Sequence, residues 1–163
     1  LEDSKFVSIL KVFASENIKV DDAKVQLAVP VIKERAHTFV EARDMLSNEL
    51  VSLFKEPKLD KNQLLAKEPK DRPGMTKTVL EGLLEPLKAL KNDVSAEAVK
   101  EALMSFANAE EAKGRGGRGA VLWPLRYALS GQERSPDPFT LISIVGPKES
   151  ISRIHKAIAI LGK

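Results

Sequence analysis

Residues 113–131 read KGRGGRGAVLWPLRYALSG. Gly114, Gly116 and Gly119 match G-x-G-x-x-G to the letter. In a dinucleotide fold that loop follows a buried strand, opens a helix, and has an acidic residue about 20 positions further on. The residues before it here are Ala109-Glu110-Glu111-Ala112-Lys113, with no β-branched or aromatic member. They suit an exposed helix end or loop. The strand is missing, and a nucleotide-binding enzyme of this type is excluded with it. After the glycines, Val121, Leu122, Leu125 and Leu129 form one apolar helical face, which Gly131 ends. Proline is tolerated in a first helical turn, so Pro124 places the start of this helix close to Trp123, with a span of about 122–129.

Helical periodicity extends outward from this segment in both directions. Phe6, Ile9, Leu10 and Phe13 share one face of a helix over 4–14. Asp21 or Asp22 caps a second helix to about residue 34, with Val25, Ala28, Val29 and Ile32 inward and Pro30 expected to kink or break it. Thr38 and Glu41 have capping-box spacing, so a new helix starts there and Arg35 falls at the corner between the two. Val40, Leu46, Leu50, Val51 and Phe54 carry its apolar face. Pro57, Pro69 and Pro73 punctuate a weakly periodic stretch. Beyond it, 76–91 is helical with Pro86 as an internal kink, and Ser95 caps another helix. The stretch 138–146, PFTLISIVG, is rich in β-branched residues. No partner strand exists for it, so a short buried helix is expected. A last amphipathic helix covers 148–161. The chain reads as all-α, with two small helical bundles in tandem, 1–68 and 69–163.

Composition agrees with a globular chain and narrows its chemistry. A content of 43% hydrophobic residues over 163 positions is enough for a real core. Without cysteine there are no disulfides and no thiolate metal sites. No apolar run approaches membrane-spanning length. The chain begins with Leu1 rather than Met, as expected of a fragment or a processed chain. The charge is uneven: residues 114–163 hold eight Lys/Arg against three Asp/Glu, while residues 1–113 hold 18 against 20. A basic C-terminal part points to a polyanion partner, although a solvated basic surface gives the same count.

Catalytic signatures are absent. His37 and His155 are far apart and belong to no ligand-spaced cluster; there is no G-x-S-x-G and no Walker A motif, and neither a catalytic nor a metal site is expected. The better candidates lie on the helix after the glycines. Trp123, Arg126, Tyr127 and Ser130 follow one another at i, i+3, i+4 and i+7, opposite the apolar face. Aromatic rings stack on splayed bases and guanidinium groups bridge phosphates or base edges, so the pattern suits single-stranded RNA. The same spacing also fits a Trp plugging the bundle core beside an Arg that lays its stem over it.

The segment GAVLWPLRYALSG at 119–131, Ser135-Pro136, Phe139, the turn Gly146-Pro147-Lys148-Glu149 and Arg153-Ile154 together resemble the C-terminal end of bacterial-type glutamyl-tRNA synthetases. Val31-Ile32-Lys33-Glu34-Arg35-Ala36-His37-Thr38 resembles that family's preceding helical segment. The resemblance runs in order along the chain, while 55–115 matches only in length and helical character. It implies the anticodon-binding region of a class I aminoacyl-tRNA synthetase, an all-helical cage of two subdomains. The family's H-I-G-H and K-M-S-K-S type catalytic signatures do not occur here. The implied partners are the anticodon loop of glutamate tRNA and an N-terminal catalytic domain in the same cytoplasmic, monomeric enzyme. That parent enzyme would use ATP and Mg; this chain itself would hold no cofactor. Carried over by motif position, Arg35 would read an anticodon base, and Trp123, Arg126, Ser135, Pro136, Pro138 and Phe139 would contact anticodon nucleotides. Trp123 stands where the family varies and Pro138 where Leu is common. Arg115 and Arg118 are candidate phosphate contacts. For Arg35 the competing reading is that it only pairs with a neighbouring carboxylate, such as Glu34 or Asp44, at the corner between the helices. The alternative function is a helical protein-interaction scaffold that has lost RNA binding.

Overall fold

The computed structural model describes Ser8, residues 22–113 and residues 118–162. The helix expected over 4–14 lies outside them, Ser8 excepted, as do Gly114, Arg115, Gly116 and Gly117. The described residues are all-α, with helices α1 (Asp22–Arg35), α2 (Phe39–Ser47), α3 (Lys61–Leu64), α4 (Met75–Lys88), α5 (Ala96–Ala112), α6 (Arg118–Ser130), α7 (Pro138–Val145) and α8 (Pro147–Leu161). A 3-10 turn at Val51–Leu53 follows α2. By compactness the chain divides into a first unit ending at Glu56, joined by Arg134–Pro136, and a second unit of Pro57–Glu133 and Asp137–Lys163. Residues 57–68, placed in the first bundle from the sequence, therefore group with the second unit.

In the first unit, Val25, Ala28, Val29 and Ile32 of α1 are buried, as their spacing requires. Pro30 does not end the helix, which continues to Arg35. Pro30 itself is exposed, so the carbonyl it leaves unpaired, that of Gln26, belongs to the solvent side. The capping box at α2 forms as expected: Glu41 N–H donates to Thr38 Oγ1 at 3.1 Å and Thr38 N–H donates to Glu41 Oε2 at 3.2 Å. The buried face of this unit continues through Ala42, Leu46, Leu50 and Leu53. Val40, expected inward, is 50% exposed. It precedes Leu46 by six residues, roughly 240° around the helix, and Ala42 takes the inward position instead.

The second unit is built around α6, which touches α3, α4, α5, α7 and α8. Val79, Leu80, Leu83 and Leu87 form the buried stripe of α4, which packs against α6 and α8. Ser95 caps α5, accepting from Ala98 N–H at 3.2 Å. The PFTLISIV segment is helix α7: Asp137 accepts from Thr140 N–H at 2.9 Å, and Pro138 fills the first helical position. Among the described residues, the glycine-rich stretch is preceded by helix α5 and not by a strand.

The helix around Trp123 departs from expectation at its start. It is already helical at Arg118, so Pro124 lies well inside it rather than in the first turn. Pro124 gives up one backbone hydrogen bond there, but it is buried, as are Val121 and Leu125 beside it, and that packing offsets the loss. The end is as expected. Gly131 has φ +65°, and its N–H donates to Tyr127 O at 2.7 Å.

Arg153 of α8 ties down the same helix end. It is 3% exposed; Nη1 donates to Leu129 O at 2.7 Å and Nε to Glu149 Oε1 at 3.1 Å. The guanidinium thus satisfies a carbonyl of the last turn of α6 and sits at the negative end of its dipole. Arg153→Met keeps the aliphatic bulk and removes both bonds. It is expected to lower stability by about 1.5–3 kcal/mol, the range for a hydrogen bond to a charged group. A drop in the urea midpoint at unchanged slope would show it; an unmoved midpoint would mean that solvent satisfies Leu129 instead.

Candidate nucleic-acid interface

In the first unit, Arg35 is the last residue of α1, and the turn through Ala36 and His37 to the Thr38 cap brings α2 round beside it. Its guanidinium is half exposed and pairs with neither Glu34 nor Asp44. Nη1 donates to Glu49 Oε2 at 3.1 Å. The pair borders a groove of about 310 Å³ lined by Arg35, Glu41, Asp44, Met45, Asn48 and Glu49. Three carboxylates line this groove, and two are committed locally. Glu41 caps α2 by accepting from the N–H groups of His37 and Thr38, and Asp44 holds Arg43 at 3.2 Å.

In the second unit, Trp123 is half-buried on α6. Its indole Nε1–H donates to Gln63 O at 2.9 Å, 60 positions away, which pins the ring to the last turn of α3. Its ring lies nearly parallel to that of Tyr127, 10° between planes and 6.5 Å between centroids. Two cations sit over it: the Arg126 guanidinium carbon at 5.4 Å from the centroid and the Lys67 ammonium at 5.8 Å. Arg126 Nη2 donates to Glu133 O at 2.7 Å, which fixes the guanidinium beside the loop after α6. The face expected to oppose the apolar one is therefore only partly open. Trp123 and Arg126 are half-buried, but Tyr127 and Ser130 are buried, with Tyr127 OH accepting from Asp60 N–H at 2.9 Å and Ser130 Oγ donating to Arg126 O at 2.8 Å. A helix that packs against five others has no fully exposed side.

The remaining expected site residues are distributed as follows. Ser135 and Pro136 are buried and group with the first unit; Ser135 Oγ donates to Pro136 O at 2.9 Å. Pro138 and Phe139 open α7 in the second unit, also with buried side chains. Arg118, at the first position of α6, is exposed and 3.7 Å from Glu111. Arg115 lies outside the described residues. Within the second unit, Trp123 and Arg126 come together, joined by Lys67, which sequence reasoning did not single out. Glu49 was missed in the first unit. Neither residue has a local signal, since each meets its partner only after the chain has turned back on itself.

The anticodon binding domain family matches residues 5–158. The chain is 36% identical over 136 residues to glutamate–tRNA ligase 1 of Mesorhizobium japonicum, covering 83% of this chain and 26% of that protein. It is 37% identical over 112 residues to the glutamate–tRNA ligase of Clostridium novyi, covering 68% and 22%. Among solved structures, the crystal structure of a glutamate tRNA ligase from Elizabethkingia meningosepticum in complex with its amino acid superposes with a TM-score of 0.76 and 31% identity, covering 99% of this chain and 30% of that one. The chain thus spans about a quarter of the length of the curated relatives it matches. The match along nearly its whole length, with the all-helical architecture reproduced, places this chain in the anticodon binding domain family, in the form carried by glutamate–tRNA ligases.

Proposed function

We propose that this chain grips the anticodon loop of glutamate tRNA. The observation that carries this reading is the half-buried Trp123 ring with Arg126 and Lys67 over it. An indole offers a stacking surface to an unpaired base, and two cations beside it attract the phosphates on either side of that base. Arg35, half exposed over its groove, grips the third anticodon base, which is cytosine in glutamate anticodons. Cytosine's pairing edge presents O2 and N3 as acceptors, and arginine is donor-only. In the parent ligase, glutamate would be joined to this tRNA with ATP and Mg by a catalytic domain outside these 163 residues, in the cytoplasm.

A salt titration tests the reading. Each phosphate contact on a single strand contributes about −0.7 to the slope of log affinity against log salt. Binding of glutamate tRNA should therefore weaken steeply with salt. Arg126→Ala and Lys67→Ala should each flatten the slope by about that amount if each cation meets a phosphate. Binding that is indifferent to salt would sink the proposal and favour a helical protein-interaction scaffold.

A further inference from the structure

Arg35 is paired with a carboxylate, and that changes what the groove can read. Glu49 Oε2 accepts from Arg35 Nη1 at 3.1 Å, and Glu49 Oε1 has no protein partner among the described residues. Glu49 is the one groove carboxylate committed neither to a helix cap nor to Arg43. The groove therefore presents a row of donors followed by an acceptor, with Met45 as an apolar wall beside them. We infer that Glu49 is a specificity-determining residue: with Arg35 it forms a composite reader that accepts cytosine and rejects uracil at the third anticodon position. This rests on the reading that Arg35 faces that base.

The order of groups along each pairing edge decides which bases fit. Cytosine runs acceptor, acceptor, donor: O2 and N3 meet the guanidinium, and N4–H donates to the Glu49 carboxylate. Uracil runs acceptor, donor, acceptor. A donor group beside an acceptor group can pair N3–H and one carbonyl of uracil, but the other carbonyl then faces the Glu49 carboxylate, acceptor to acceptor, whereas guanine's third atom, N2–H, would be a second donor to it. Guanine runs acceptor, donor, donor. It can turn O6 to Arg35 and N1–H to Glu49, which removes the donor-to-donor clash that an isolated Arg35 would impose. The comparison that isolates Glu49 is thus cytosine against uracil, pyrimidines of the same size.

Glu49→Gln supplies the test. A glutamine amide has both an acceptor and a donor. Beside Arg35 it completes the uracil edge: Arg35 to O2, the amide oxygen to N3–H, the amide nitrogen to O4. RNA hairpins carrying the glutamate anticodon loop, with C or U at the third anticodon position, are titrated against the wild type, Glu49→Gln and Arg35→Gln. The wild type should favour C by about tenfold, the scale of one well-placed base contact. In Glu49→Gln the ratio should fall to near one, chiefly because the U hairpin binds better. An unchanged ratio in Glu49→Gln, with Arg35→Gln weakened on the C hairpin, overturns the inference and leaves the anticodon reading standing. Equal weakening of both hairpins in Glu49→Gln also overturns it, since Glu49 would then only steady Arg35. If the wild type binds neither hairpin, the anticodon reading falls and this inference falls with it.

Discussion

Replacing Gly131 by alanine is expected to lower the stability of the second unit by roughly 2–6 kcal/mol, combining backbone strain of about 1–3 with crowding of about 1–3. The first part arises because φ at Gly131 is +65°, a left-handed conformation that a Cβ disfavours. The second arises because that Cβ would lie 2.7 Å from Pro57 Cβ and 3.0 Å from Lys58 O. Neither neighbour is the free end of a flexible side chain, so the chain before α3 would have to move. Thermal melting measures the effect, at several degrees per kcal/mol for a unit of this size. Gly131→Asn separates the two parts, because asparagine tolerates the left-handed region while keeping the crowding. A melting point within a degree of the wild type for Gly131→Ala would mean both that residue 131 is not held left-handed and that Pro57 and Lys58 do not lie against the end of α6.

Trp123→Ala should damage stability and RNA binding together. The indole is half-buried and bonded to Gln63 O, so its removal should cost stability by about 2 kcal/mol, roughly half the value for a fully buried Trp. It also removes the ring under Arg126 and Lys67, and with it about 1–3 kcal/mol of base stacking. Trp123→Phe keeps an aromatic face but loses the N–H donor and part of the ring area. It should melt lower, by about 1 kcal/mol in stability, while holding RNA affinity within a few-fold. If Trp123→Ala melts lower but binds tRNA as tightly as the wild type, the ring is a strap between α6 and α3 and not a stacking platform.

What the sequence made legible was local. The Thr38–Glu41 capping box, the Ser95 cap, the Gly131 stop and the Leu stripe of α4 are each decided within a turn or two of helix, and each appears where its spacing put it. The PFTLISIV segment followed from a negative argument, that a lone strand has nothing to pair with. The misreadings came from contacts that local spacing cannot encode. Pro124 was expected to open a helix; burial among neighbouring elements lets it sit inside one. Tyr127 and Ser130 were grouped with Trp123 by periodicity, yet the segment before α3 covers Tyr127. Arg35 was considered beside nearby carboxylates, whereas Glu49, 14 residues on, reaches it after α2 has run its course. The family resemblance picked out Arg35, Trp123 and Arg126 but not Lys67 or Glu49, which sit where the motif match is loose or absent.

The pinned indole has a spectroscopic consequence. Trp123 is the single tryptophan in the chain, so all indole emission comes from this one position on α6. Its N–H is already occupied, and charged groups lie close to its ring, so the emission maximum reports the immediate surroundings of Arg126 and Lys67. A base stacking on the ring quenches that emission, and a phosphate drawing the two cations aside shifts its wavelength. The protein therefore carries its own optical probe at the proposed RNA contact, and unlabelled tRNA can be titrated against it at every salt concentration needed.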